Sequence, residues 1–186
     1  MQSTLHENSR YTYEDYATWD DGNRYELING VLYVMEPNDT ALHRSICEEL
    51  FRQLASSLLE KPYAVFHSPY DVCLRGRGNN DDTVVQPDLL IVCDLSKLDE
   101  NRCNGAPDFI VEILSPSTAC RDLLVKHNTY LKAGVREYWI IDPDNEVIRV
   151  CLLKDGKYEV TDHVKAVTLP VNILKGCDIE IAKVFG

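Results

Sequence analysis

A carboxylate inside an apolar strand needs a partner, because leaving it unpaired in a dry interior costs several kcal/mol. Residues 109–114 read Phe-Ile-Val-Glu-Ile-Leu and set Glu112 in such a run. Asp88 follows Pro87 and opens a second compact apolar run at 89–93. Neighbouring strands lie about 5 Å apart, so carboxylates on adjoining strands can share one hard cation such as Mg²⁺ or Mn²⁺. Farther along, Asp122, Lys126 and Tyr130 recur at four-residue steps, a spacing that puts them on one face of a helix. An ammonium turned toward the cation would orient an attacking water or stabilise the charge of a phosphoryl-transfer transition state. The same spacing also fits a surface salt bridge between Asp122 and Lys126, worth under about 1 kcal/mol. Spacing alone leaves these two readings level.

The elements that must position these residues follow from pattern. A short helix is expected over 13–19, then a strand at 25–28 carrying Glu26. Asn29-Gly30 tolerates positive φ at both positions and predicts a tight hairpin to a partner strand at 31–35. Asn38, Asp39 and Thr40 offer N-cap chemistry. Leu42, Ile46, Leu50, Leu54 and Leu58 then repeat every fourth residue, which predicts a long helix with His43 near its start. Strands are expected at 63–66 and 70–74, followed by a hydrophilic loop over 75–82. The runs at 89–93 and 109–114 read as buried central strands. Residues 115–118 start a helix that runs to about Ala133, where Gly134 suits a left-handed cap. Two further strands, 137–141 and 147–153, are joined by the turn Asp142-Pro143-Asp144-Asn145.

At 186 residues the chain suits one domain with a real core, taken as 1–186. No apolar run approaches the roughly 18 residues of a membrane span, and the polar start lacks the pattern of a secretory signal. A soluble, cytoplasmic protein is therefore expected. Seven cysteines, never closer than ten residues, form no Cys-x-x-Cys pair, which fits reduced thiols and argues against a local zinc site. The net charge of −11 excludes an even basic coat for sequence-blind DNA binding. It leaves room for a nucleic-acid enzyme whose cation and few local basic residues face the substrate on one side. No Gly-x-Ser-x-Gly elbow, phosphate-binding glycine loop or dinucleotide fingerprint occurs, which weakens triad hydrolase, nucleotide triphosphatase and dehydrogenase readings.

Taken in order, the motifs resemble the Uma2 family of restriction-endonuclease-like proteins, also catalogued as a domain of unknown function, within the PD-(D/E)xK nuclease superfamily. The resemblance runs from Tyr25-Glu26-Leu27-Ile28-Asn29-Gly30 through His43 to Gln86-Pro87-Asp88. It continues with Gly105-Ala106-Pro107-Asp108, Glu112-Ile113-Leu114-Ser115-Pro116-Ser117-Thr118, Asp122, Lys126, Tyr130 and Gly134-Val135-Arg136-Glu137-Tyr138-Trp139. Roughly 13–155 is covered. The resemblance implies an α/β, restriction-endonuclease-like fold: a mixed central sheet flanked by helices, with an N-terminal β-hairpin. It implies a metal held by Asp88, Glu112 and the backbone carbonyl of Ile113. The superfamily's lysine two residues after the acid is replaced here by Leu114, and the family pattern implies that Lys126 has taken over from the adjacent helix.

The expected activity is that of a metal-dependent endonuclease hydrolysing DNA phosphodiester bonds, with Mg²⁺ or Mn²⁺ as cofactor. Asp88, Glu112, Lys126 and Glu26 are its candidate catalytic residues. His43, Tyr130 and Asp122 are secondary candidates. A homodimer is plausible by analogy with nucleases that cut duplexes. The alternative is a non-catalytic binding or assembly module on the same scaffold. Glu26 reads equally as an exposed hairpin carboxylate, and a lone helical histidine such as His43 is more often a packing or surface residue. Asp108 reads as a turn stabiliser, Arg75-Gly76-Arg77-Gly78 as a solvated loop and Tyr138-Trp139 as core or interface aromatics.

Overall fold

The computed structural model describes residues 9–35, 40–76, 80–115, 121–165 and 167–186. The chain begins with α1 (Tyr13–Tyr16), β1 (Arg24–Ile28) and β2 (Val31–Met35). Asn29 and Gly30 adopt φ of 52° and 75°, and Ile28 pairs with Val31. This is the two-residue turn that the Asn-Gly pair predicts, because both central positions need positive φ. Next comes α2 (Ala41–Ser57), capped by Thr40, whose side chain accepts a hydrogen bond from His43 N. Asn38 and Asp39 lie outside the described residues. Ile46, Leu50 and Leu54 are the buried apolar face of α2, whereas Leu42 at its start is exposed.

Five strands follow: β3 (Ala64–His67), β4 (Asp71–Cys73), β5 (Val84–Val85), β6 (Leu89–Val92) and β7 (Arg102–Asn104). Residues 77–79 of the expected hydrophilic loop lie outside the described residues, and the described part is pinned by hydrogen bonds. The buried Asp81 carboxylate accepts from Arg75 N and Thr83 N. After β8 (Phe109–Ile113), the described chain resumes in a π-helical turn at Arg121–Lys126 that passes into α3 (His127–Ala133). Gly134 ends α3 at φ 86°, the left-handed cap anticipated from sequence. The remaining elements are β9 (Glu137–Asp142), β10 (Val147–Lys154), β11 (Lys157–Val164), β12 (Thr168–Pro170), β13 (Asp178–Glu180) and α4 (Ile181–Val184).

The strands form a six-stranded sheet of order β11-β10-β9-β8-β6-β3 and a five-stranded sheet of order β2-β1-β5-β4-β7, with β12 and β13 paired apart. The larger sheet is mixed: β8 runs antiparallel to β6 and parallel to β9. Alternation along its strands builds two cores. Leu89, Ile91, Phe109, Val111, Ile113 and Trp139 pack with the buried face of α2. Leu90, Val92, Ile110, Tyr138 and Ile140 pack instead with Ile28, Val72 and Val85 of the smaller sheet and with Tyr130 of α3. Glu112 follows Ile110 by two residues, so it falls on this second face. Among the described residues no helix is long and apolar enough to cross a membrane.

Candidate functional site

The register between β6 and β8 sets the two central acids against each other. Leu89 pairs with Val111 and Leu90 with Ile110, so one further step outward brings Asp88 opposite Glu112. Directly opposite residues of an antiparallel pair share a sheet face and have Cα atoms about 5 Å apart. Asp88 stands in a bend just before β6. Its Oδ2 accepts from the backbone N–H of Ile113 at 2.7 Å, so Asp88 ties the end of β8 to the start of β6. His43 Nε2 approaches the same oxygen at 3.4 Å, the two side chains being 14% and 19% exposed. Cys47 Sγ and the Ser68 N–H both point at the Asp88 carbonyl. The structure thus sets His43 against an acid and not into bulk solvent.

Lys126 stands at the end of the π-helical turn, and its Nζ lies 2.9 Å from Glu112 Oε1 and 2.9 Å from Glu26 Oε1. The three side chains are 2%, 5% and 0% exposed. Lys126 is thus buried and not at the surface, where the alternative reading had put it, and the exposed-hairpin reading of Glu26 is overturned. Both follow from packing: β1 is a central strand of the smaller sheet, paired with β2 and β5, and its inner face meets α3. Tyr130, one helical turn after Lys126, donates its hydroxyl to Glu112 Oε1 at 2.6 Å. Burial first, then the Glu112 and Glu26 carboxylates, push the Tyr130 phenol well above its ordinary range, so it stays a donor. Asp122's side chain lies outside the described residues.

Sequence reasoning missed Gln86 as anything beyond part of a motif. Its backbone N–H donates to Glu26 Oε1 at 2.9 Å. Its side-chain Nε2 donates to Asp71 Oδ1 and to the Tyr16 hydroxyl, each at 2.8 Å, and its Oε1 accepts from Arg24. Tyr16 also donates to Asp71, and burial together with that carboxylate raises its phenol pKa. The only hint in the sequence was a polar residue beside an apolar strand, which names no partner. Buried Glu137 was likewise not singled out. It accepts from Trp139 Nε1, Asn172 Nδ2 and Ile173 N, and so fastens the C-terminal segment to β9. Asp108 accepts from the Cys93 N–H and pairs with Arg136, both distant in sequence, so it ties neighbouring segments together instead of stabilising its own turn as expected. Tyr138 and Trp139 are fully buried core residues. Gly78 and Arg77 lie outside the described residues, while Arg75 is held by Asp82 and Asn29.

Among the described residues no three His, Cys, Asp or Glu side chains come together as a metal-binding group. The donor set suggested by the resemblance is smaller, two carboxylates and the Ile113 carbonyl. Its chemistry suits a hard cation that keeps several waters, as Mg²⁺ does. Charge agrees: among the described residues, Asp88, Glu112 and Glu26 set against the ammonium of Lys126 sum formally to two negative charges. A divalent ion would balance it. Asp88, at the more exposed end, is where such an ion would enter.

The family model described as "Putative restriction endonuclease", Uma2, matches residues 13–182. A solved structure from Anabaena variabilis ATCC 29413, described as "a putative nuclease belonging to DUF820", is similar to this chain with a TM-score of 0.73 at 20% identity. The similarity covers 94% of this chain and 97% of that one, and at this identity it shows a common fold. No curated protein matches the chain. With the family match spanning all but the two ends of the sequence, the chain belongs to the Uma2 family.

Proposed function

We propose that this protein is a nuclease that hydrolyses DNA phosphodiester bonds with the help of Mg²⁺ or Mn²⁺. The observation that carries the reading is the buried lysine shared by two carboxylates, set beside a register that aligns Asp88 with Glu112. Asp88, Glu112 and the Ile113 carbonyl would hold the ion. When bound, such an ion supplies Lewis-acid activation of a phosphoryl oxygen and of water. The chain's own residues supply the rest. Lys126 gives an ammonium that orients the attacking water and offsets negative charge as it grows on the phosphorus centre. Glu26 fixes that ammonium in direction, and the Gln86 N–H fixes Glu26 in turn. Tyr130 holds Glu112 in one rotamer through a short hydroxyl bond. His43 restrains Asp88 from the α2 side.

A cleavage assay on single- and double-stranded DNA with Mg²⁺ or Mn²⁺ tests the proposal. Wild type should cut, and Asp88→Asn and Lys126→Met should each lose about 10²-fold or more in rate, the scale of losing one electrostatic group from a transition state. Activity untouched by both substitutions would overturn the assignment. One observation favours a second reading. Lys126 already neutralises part of both buried acids, as a scaffold that has given up catalysis would require. That non-catalytic binding or assembly module is the reading to adopt if wild type binds no divalent ion and cuts no substrate.

A further inference from the structure

We propose that Arg24 is a phosphate-binding group of this site, taking a non-bridging oxygen of the nucleic-acid strand beside the bond to be cut. The inference rests on the nuclease reading above and adds a substrate contact to it. Arg24 opens β1 two residues before Glu26, so both side chains leave the same face of the strand, about 7 Å apart along it. Its Nε and Nη2 donate to Gln86 Oε1 at 3.0 and 2.6 Å, and Nη2 also donates to Ser68 Oγ. Both acceptors are neutral. Among the described residues no carboxylate pairs with Arg24, nor with Arg10 or Arg44, whereas Arg52, Arg75, Arg102, Arg136 and Arg149 each meet an Asp or Glu.

The partners of Arg24 are also the residues that hold the acids. Gln86 binds Glu26 through its backbone N–H, and the Ser68 N–H binds the Asp88 carbonyl. Gln86 is buried and cannot turn its amide over, because Nε2 is committed to Asp71 and Tyr16. Its oxygen must therefore face the guanidinium. Arg24 is exposed, and its charge is held in a set direction with no neutralising acid among the described residues. A planar fork with an uncompensated charge matches phosphate geometry. In a chain of net charge −11, a polyanion needs such a local cation to approach an acidic site at all.

Fluorescence anisotropy of a short fluorescein-labelled DNA duplex, in Ca²⁺ and over a series of KCl concentrations, tests the inference. Arg24→Gln should bind roughly tenfold more weakly, and its plot of log affinity against log salt should be flatter by about 1 unit. Arg24→Lys should regain the wild-type slope with only part of the affinity, since the charge returns without the fork. Arg24→Gln with wild-type affinity and slope overturns the inference and leaves the nuclease reading in place. A flattened slope in the lysine variant overturns it equally, and this arm stands even if the glutamine variant fails to fold. Wild type that binds no duplex at all removes the nuclease reading and the phosphate contact together.

Discussion

Lys126 Nζ lies 2.9 Å from Glu26 Oε1, which joins the first strand of the smaller sheet to the helical segment after β8 through the interior of the protein. The same ammonium reaches Glu112, so its removal leaves two buried carboxylates without their shared counter-charge. Breaking a buried pair by deleting one partner is destabilising by about 3–5 kcal/mol. Lys126→Met should lose that much in urea denaturation, and saturating Mn²⁺ should restore part of it by binding the folded state. A loss under about 1 kcal/mol would mean that the cluster is solvated like a surface pair.

Tyr130→Phe removes one hydroxyl and keeps the ring in its core packing. The lost hydrogen bond ends on a charged oxygen of Glu112, and bonds of that kind contribute about 1.5–3 kcal/mol. Denaturation should show a loss in that range. Titration with Mn²⁺ should also show weaker binding, by about 10-fold or more, because the carboxylate loses the group that orients it. Unchanged Mn²⁺ affinity would limit Tyr130 to a packing role.

His43→Ala tests how far the Asp88 contact supports the fold. At 3.4 Å, between two partly exposed groups, the pair contributes under about 1 kcal/mol. Melting temperature should therefore barely move, while Asp88 keeps its bond to the Ile113 N–H. A loss of several kcal/mol would show that His43 carries part of the core.

Local pattern made much of the scaffold legible before any coordinates. Asn29-Gly30 named its own turn, the spacing of Ile46, Leu50 and Leu54 named a helix and its buried face, and Gly134 named a helix end. Glu112 announced a need for a partner because an acid in an apolar run is costly. The long-range pairings were not legible. Which lysine meets Glu26, and that Gln86 joins Arg24, Tyr16 and Asp71, depends on how two sheets close on each other. The π-helical turn before α3 was also hidden, since 121–126 has the composition of an ordinary helix. Glu137 escaped because it opens its strand, where an acid usually signals an exposed edge, and the groups that satisfy it lie past position 170.

The Glu137 carboxyl gives a pH dependence separate from the candidate site. Burial raises its pKa above the ordinary value near 4.5, against the opposing hydrogen bonds of Asn172, Trp139 and Ile173. The folded state therefore holds this proton more tightly than the unfolded chain. Its stabilising contribution is complete below the unfolded value and is lost as pH rises through the folded one. The melting temperature of wild type minus that of Glu137→Gln should accordingly fall over the pH interval above the ordinary value near 4.5. A difference that grows over the same interval would contradict the assignment, because it would require a carboxylate stabilised in its charged form.

Calorimetric titration of Mn²⁺ into wild type and Asp88→Asn bears most directly on whether Asp88 and Glu112 hold one ion. The asparagine keeps an oxygen for the Ile113 N–H and so preserves the sheet end while it removes the charge. Wild type should bind one ion per chain, and the variant should bind at least about tenfold more weakly with its melting curve retained. Equal affinity in the two proteins, or no binding to wild type, would contradict the account.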